Sequence, residues 1–102
     1  MRLLILTGVV TGLLAAETPA EASATRPEAS DCLAAAEAGL AYWEKQSSKD
    51  PTRAEVEIPM AKSLIARVGP QSITAEQRRK YRDLIPDFRD VFVRRCLATY
   101  AE

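Results

Sequence analysis

The two cysteines, Cys32 and Cys96, constrain the fold of this chain more than any other feature of its sequence. In an oxidising compartment, two cysteines allow a single intramolecular disulfide, and this one would close most of the chain. Loop-closure entropy gives such a bridge a stabilisation of about 4 kcal/mol. A redox pair or a metal pair is less favoured, because there is no C-x-x-C motif and the chain has no His. We therefore predict a structural disulfide, and neither a metal site nor a cofactor.

The oxidising compartment is itself predicted from residues 1–24, which have the pattern of an export signal. A positive Met1-Arg2 precedes an apolar run from Leu3 to Ala16, and Ala22-Ser23-Ala24 fits the A-x-A motif that signal peptidase accepts. Cleavage after Ala24 would leave residues 25–102 as a single helical domain in the periplasm or outside the cell. The alternative is an uncleaved anchor, but the apolar run is shorter than the roughly 20 residues that span a bilayer. We expect no stable membrane span after cleavage.

Residues 25–102 show helical spacing, because apolar side chains recur every three or four positions and none alternate over the length of a strand. The spacing predicts a first helix from about Ser30 to Ser47, with Ser30 as its N-cap and Thr25 as a rival start. Its core stripe includes Trp43, whereas the adjacent Tyr42 points about 100° away and is a candidate contact residue. Its alanines either allow another helix to approach closely or reflect helix propensity alone.

Two further helices are expected before residue 86. One runs from about Pro51 to Val68, between a capping Asp50 and the stop signal Gly69-Pro70. Pro59 lies inside it, so either the helix kinks there or a short turn precedes a helix that begins there. Thr74, with Gln77 three residues later, fits a capping box that opens the next helix.

The position of Pro86 indicates whether the chain forms three helices or four. If residues 75–101 formed one straight helix, Cys96 would lie at the opposite end of the bundle from Cys32, and the disulfide could not form. A break before Pro86 lets a fourth helix turn back and bring the two cysteines together. The sequence therefore predicts an all-α fold, a small irregular four-helix bundle with one disulfide. The alternative has three helices, with the last one kinked at Pro86.

The densest charge in the sequence is a basic patch on the third helix, in which Arg78, Arg79 and Arg82 share one side. It could bind a partner protein or an anionic envelope component, such as phosphate groups or an acidic glycan. The alternative is an ordinary solvated helix face. Nucleic acid is not expected, because the formal net charge is zero and no aromatic residues alternate with the basic ones.

The last helix is apolar around most of its circumference, so it is either the central helix of the bundle or has a second face for a partner. Arg95 falls within the apolar arc. It either forms a buried ion pair with a carboxylate of the acidic first half, or extends to the surface along its aliphatic stem. The candidate carboxylates are Glu37, Glu55 and Glu57.

These features favour binding over catalysis. The absence of His excludes Ser-His and Cys-His nucleophiles, and the carboxylate pairs Glu55 with Glu57 and Asp87 with Asp90 have no flanking pattern that indicates a raised pKa. We predict no catalytic residues and an exported, periplasmic binding protein such as an inhibitor, an adaptor or an assembly factor. A carboxylate-based hydrolase is the less favoured possibility.

The main alternative is a periplasmic stress chaperone. In general shape, the predicted fold is similar to the small helical, single-disulfide acid-stress chaperones of the bacterial periplasm. Without His, an acid trigger in this chain would have to use carboxylates, which titrate near pH 4.

Overall fold

The computed structural model describes residues 26–101, which form four α-helices and no β-strand. We number the helices α1 (Ala29–Gln46), α2 (Pro51–Val68), α3 (Ala75–Asp83) and α4 (Pro86–Thr99). The all-α, four-helix prediction is confirmed, and α3 and α4 are separate helices. The predicted export signal, residues 1–24, and its cleavage after Ala24 lie outside the described residues.

The disulfide between Cys32 and Cys96 is present, with the two Cα atoms 5.9 Å apart and both side chains fully buried. It joins the first turns of α1 to the last turn of α4. The same two ends are linked again by Tyr100, whose hydroxyl donates to the carbonyl oxygen of Pro27 at 3.0 Å. The start of the first helix therefore lies beside the end of the last, as the four-helix topology requires.

The central helix is α1, which packs against each of the other three helices. Ala34, Ala35 and Ala36 are buried, so small side chains let the neighbouring helices approach this segment closely. The predicted N-cap at Ser30 is wrong: Glu28 occupies the N-cap position, and Ser30 lies inside the helix. The hydroxyl of Ser30 instead accepts a hydrogen bond from Gln77 Nε2 of α3 at 3.1 Å, a tertiary contact that local sequence does not reveal.

Helix α2 runs without a break through Pro59, so of the two alternatives considered there, the one with a short turn before a separate helix is wrong. Proline removes the hydrogen bond to the carbonyl oxygen of Glu55 four residues earlier. Both residues are exposed, so water can hydrate that carbonyl. The predicted ends of α2 are confirmed. Asp50 accepts from the backbone N–H of Arg53 at 3.2 Å, and Gly69, at φ 71°, ends the helix.

The capping box of α3 is also confirmed. Thr74 Oγ1 accepts from the Gln77 N–H at 3.0 Å, and Gln77 Oε1 accepts from the Thr74 N–H at 2.9 Å. Gln77 additionally donates to Asp31 Oδ1 at 2.9 Å, which ties the start of α3 to the start of α1. Extended backbone at Leu84 and Ile85 then separates α3 from α4, as expected immediately before a proline.

Within the described residues, none of the helices combines the length and the hydropathy that crossing a membrane requires.

Candidate functional site

A cleft of about 440 Å³ lies where α1 faces the two short helices, and we call it the Arg89 cleft. One wall is apolar and belongs to α1, where it is formed by Ala34, Ala38, Ala41 and Tyr42. The remaining lining is charged and consists of Glu37, Lys45, Arg78, Arg82 and Arg89. Four of these five charged side chains are basic, so the cleft is electrostatically suited to an anion.

Arg89 is the most unusual residue of this cleft, because its side chain is fully buried with only 1% of the residue exposed. Its Nη1 donates to the carbonyl oxygen of Tyr81 at 3.1 Å and to that of Arg82 at 3.4 Å. These carbonyls belong to the last turn of α3, where backbone acceptors lack helical partners and a cation is favoured. Arg89 thus joins α4 to the end of α3.

The other two guanidinium nitrogens of Arg89, Nε and Nη2, are buried without a hydrogen-bond partner. Burial lowers the pKa of Arg89, against the opposing effect of the nearby Asp90 carboxylate. The aromatic ring of Tyr42 lies over the guanidinium, with its centroid 4.9 Å from Cζ. This cation–π contact stabilises the charge partly, but it supplies no acceptor for the two N–H groups.

The rim of the cleft contains two of the three residues of the predicted basic patch. Arg78 is paired with Glu37 of α1 at 3.0 Å, and Arg82 is paired with its neighbour Asp83 at 3.1 Å. Arg79 is exposed and does not line the cleft. The patch is therefore divided: Arg78 and Arg82 meet Arg89 and Tyr42, and Arg79 lies apart from them.

A second depression, of about 540 Å³, lies between α3 and α4, and we call it the α3–α4 groove. Its lining is mainly apolar and aromatic, with a basic residue contributed by each helix: Lys80, Tyr81, Leu84, Phe88, Val91, Phe92 and Arg95. The rings of Tyr81 and Phe92 stack with centroids 5.3 Å apart. Phe88 is 62% exposed and Val91 is 60% exposed. Helix α4 therefore has the second apolar face that the sequence left open as one alternative.

Arg95 is exposed in this groove, so it is not the buried arginine of this helix. The carboxylate of Glu57, which is 3% exposed, is bound instead by Arg94 and lies 3.6 Å from Arg53 Nε. The buried arginine of α4 is Arg89, which sequence analysis missed. A signal was available, because Arg89 precedes Val93 by four residues and Cys96 by seven, on the face that the disulfide buries.

A network of charged and polar groups joins α1, α2 and α4. Asp90 accepts from Trp43 Nε1 at 3.0 Å and from Arg53 Nη2 at 2.7 Å. Arg53 also contacts Asp87, and that hydrogen bond is the main cause of the raised pKa of Arg53. Three of the four carboxylates considered for catalysis, Glu57, Asp87 and Asp90, are therefore engaged by arginines.

Among residues 26–101, no three Cys, Asp or Glu side chains lie close enough together to hold a metal ion. In the part of the chain that the structure describes, the fold and these two surfaces define a small, disulfide-bridged helical protein that has a basic cleft and an apolar groove. Comparisons with models of protein families, with curated proteins and with solved structures found no match to this chain.

Proposed function

We propose that this is an exported, periplasmic binding protein that holds a partner protein in the α3–α4 groove. The observation that carries the proposal is the pair of large apolar side chains, Phe88 and Val91, exposed side by side on α4. The export pattern of residues 1–24 and the Cys32–Cys96 disulfide support an oxidising compartment. An inhibitor, an adaptor and an assembly factor all act through a surface of this kind.

The groove has the properties of a binding hot spot. Removing a side chain such as Phe88 from water contributes about 1.5–3 kcal/mol. The stacked Tyr81 and Phe92 provide a preformed aromatic base, so little side-chain entropy is lost when a partner binds. Aromatic side chains that fill or line such pockets commonly dominate the binding energy of an interface.

The charges around the groove indicate what kind of partner fits. Lys80 of α3 and Arg95 of α4 are both basic and both line it. An amphipathic helix whose apolar face carries flanking acidic residues would bury Phe88 and Val91 and place its carboxylates near these two side chains. We propose such a segment of a partner protein as the occupant.

Photo-crosslinking in the source cells tests this assignment. A benzophenone amino acid at position 88 should capture one defined partner, whereas the same group at position 56 of α2 should not, although Val56 is also 49% exposed. The purified partner should then bind F88S at least ten-fold more weakly than the unsubstituted protein, and V56S within two-fold. Equal affinity for F88S, or identical crosslinks at both positions, would overturn the proposal. A crosslink to a second copy of this chain would show that the groove binds the protein itself, and the proposal of a different partner would be wrong.

A stress chaperone is the second candidate, and the network around Glu57 and Asp90 favours it. These buried carboxylates hold α2 and α4 together through Arg53 and Arg94, so loss of their ion pairs would loosen the packing of the two helices. At pH 2–3 a chaperone of this type would suppress aggregation of an acid-unfolded client, and F88S would weaken the suppression. No suppression at that pH would exclude this candidate.

A further inference from the structure

We propose that the Arg89 cleft is a second binding site, specific for a carboxylate attached to a short apolar group. This site is separate from the α3–α4 groove and does not depend on the function proposed for that groove. Its anchor is the edge of the Arg89 guanidinium formed by Nε and Nη2, the two nitrogens without a partner.

The identity of the unpartnered nitrogens indicates the ligand. In a guanidinium group, Nε–H and Nη2–H lie on the same side and point in nearly parallel directions. They match the two oxygens of a carboxylate, which accept both N–H groups in a bidentate pair. The third nitrogen, Nη1, is used by the carbonyl oxygens of Tyr81 and Arg82. Arg89 is thus held by one nitrogen and offers the bidentate edge formed by the other two.

The structural role of Arg89 does not explain that edge. Capping the end of α3 requires one or two N–H donors, which an exposed Lys or Arg can supply without burial. Instead, the whole side chain is buried and two donors remain unsatisfied, an arrangement that costs stability and that native proteins seldom tolerate without a purpose. A bound carboxylate would neutralise the charge and satisfy both donors together.

The rest of the cleft defines the remainder of the ligand. Lys45 and Arg82 add positive charge, while the pair of Arg78 with Glu37 contributes little net charge. The alanine wall of α1 offers no hydrogen-bonding side chain, so it fits a short apolar group. The volume of about 440 Å³ falls in the range of small-molecule sites. A cleft with positive charge at one end and an apolar wall at the other fits an amphiphilic monocarboxylate.

Access to the anchor involves Tyr42 and Gly39. The Tyr42 ring lies over the guanidinium and is half-buried, so an outward rotation of this side chain would widen the approach to the Nε and Nη2 edge of Arg89. At Gly39 there is no side chain, and a Cβ there would lie 3.8 Å from Arg89 Nε. Ligand binding is therefore expected to exchange the stacking contact of Tyr42 for a charged, bidentate hydrogen bond.

Titration of the disulfide-bonded protein with hexanoate tests the proposal, with hexanol and inorganic phosphate as the comparison probes. Hexanoate should produce saturable amide NMR shifts centred on residues 39, 42 and 89, and it should raise Tm. Hexanol lacks the carboxylate and phosphate lacks the apolar group, so each should bind at least ten-fold more weakly. Equal responses to hexanoate and hexanol, or tighter binding of phosphate, would overturn the assignment.

A matched pair of substitutions locates the site without disturbing the core. Arg82 and Arg79 are both exposed on α3, but only Arg82 lines the cleft. Arg82→Gln should weaken hexanoate binding about five-fold and reduce its dependence on salt, whereas Arg79→Gln should stay within two-fold. Arg89→Met should abolish saturable binding. Equal effects of R82Q and R79Q would overturn the proposal even if R89M does not fold.

The source of the carboxylate can be distinguished in the same assay. A peptide carboxyl terminus presents the same group as a free organic acid, so N-acetyl-Ala-Leu is compared with its C-terminal amide. Binding of the acid form alone, tighter than hexanoate, would support a peptide terminus as the natural ligand. Tighter binding of hexanoate would support a free carboxylate. Equal binding of the peptide acid and its amide would contradict carboxylate recognition.

Discussion

The indole Nε1 of Trp43 donates a hydrogen bond of 3.0 Å to Oδ1 of Asp90, which joins the end of α1 to the start of α4 across 47 residues of sequence. Both residues are buried, with 4% and 3% of their surface exposed. Arg53 completes the arrangement, because it stacks on the Trp43 ring at 4.8 Å and binds the second oxygen of Asp90. Three helices therefore meet at one carboxylate.

Substitution of Asp90 by Ala should lower the free energy of unfolding by about 2–4 kcal/mol, because the Trp43 N–H is left buried without an acceptor and Arg53 loses its shortest ion pair. Asp87 provides the matched control, since it binds the same Arg53 nitrogen at 3.2 Å from an exposed position. Asp87→Ala should cost less than about 1 kcal/mol. Urea denaturation measures both values, and equal costs would show that burial does not set the strength of these contacts.

Removal of the disulfide should destabilise the protein by about 4 kcal/mol, the loop-entropy value for cysteines 64 residues apart. The variant with both Cys32 and Cys96 replaced by Ala is suited to this test, because it avoids buried thiols. Guanidinium denaturation of this variant and of the oxidised protein provides the difference. A loss below about 1 kcal/mol would mean that helix packing alone holds α1 against α4.

Because of Tyr81, the free energy of unfolding should fall as pH rises through the alkaline range. Burial and the proximity of the Asp31 carboxylate raise the pKa of the Tyr81 phenol from 10.0 to about 12. The unfolded chain then loses this proton at lower pH than the folded protein does. The associated stability is complete below pH 10 and is lost as pH rises towards 12, by about 2–3 kcal/mol in total.

The measurement for Tyr81 is a rapid absorbance titration of tyrosinate formation. A step near pH 12 is expected in the unsubstituted protein and should be missing from Tyr81→Phe. Persistence of that step in Y81F would assign it to another tyrosine and contradict the prediction.

Two glycines should respond in opposite directions to substitution by Ala. Gly69 ends α2 with φ 71° and ψ −171°, a conformation that is almost restricted to glycine, so Gly69→Ala should cost about 1–3 kcal/mol. Gly39 lies inside α1, where a Cβ would meet Arg89 Nε at an ordinary contact distance of 3.8 Å. Gly39→Ala should therefore be neutral or stabilise the protein by up to about 1 kcal/mol. Thermal denaturation of the two variants compares these signs directly.

The sequence by itself determined those features that depend on residues close together in the chain or on covalent chemistry. Thr74 and Gln77 form their capping box within one turn, and the pairing of Cys32 with Cys96 has no competitor. The break before Pro86 follows from the geometry of proline, and the need to form the disulfide made that break informative about topology. These signals were sufficient to predict the four helices and their order along the chain.

The candidate site was predictable only in part. Arg78, Arg82 and Tyr42 were named from the sequence and lie in one cleft, but Arg89 at its base was not. Helical periodicity and the position of Cys96 place Arg89 on the side of α4 that faces α1, yet they do not say which side of α3 meets it. That choice depends on the rotation of each helix about its own axis, which is set when whole faces pack together.

The tertiary structure alone decided which charges are buried and which are paired. In the folded protein Glu37 pairs with Arg78, and the hydroxyl of Ser30 accepts a hydrogen bond from α3. On α4, Phe88 is exposed and Arg89 is buried. Each outcome depends on groups far apart in sequence, brought together by the packing of α1 against the other three helices. Caps, turns and a single disulfide are local or covalent constraints and can be inferred from the sequence, whereas the burial of a charge depends on the complete fold.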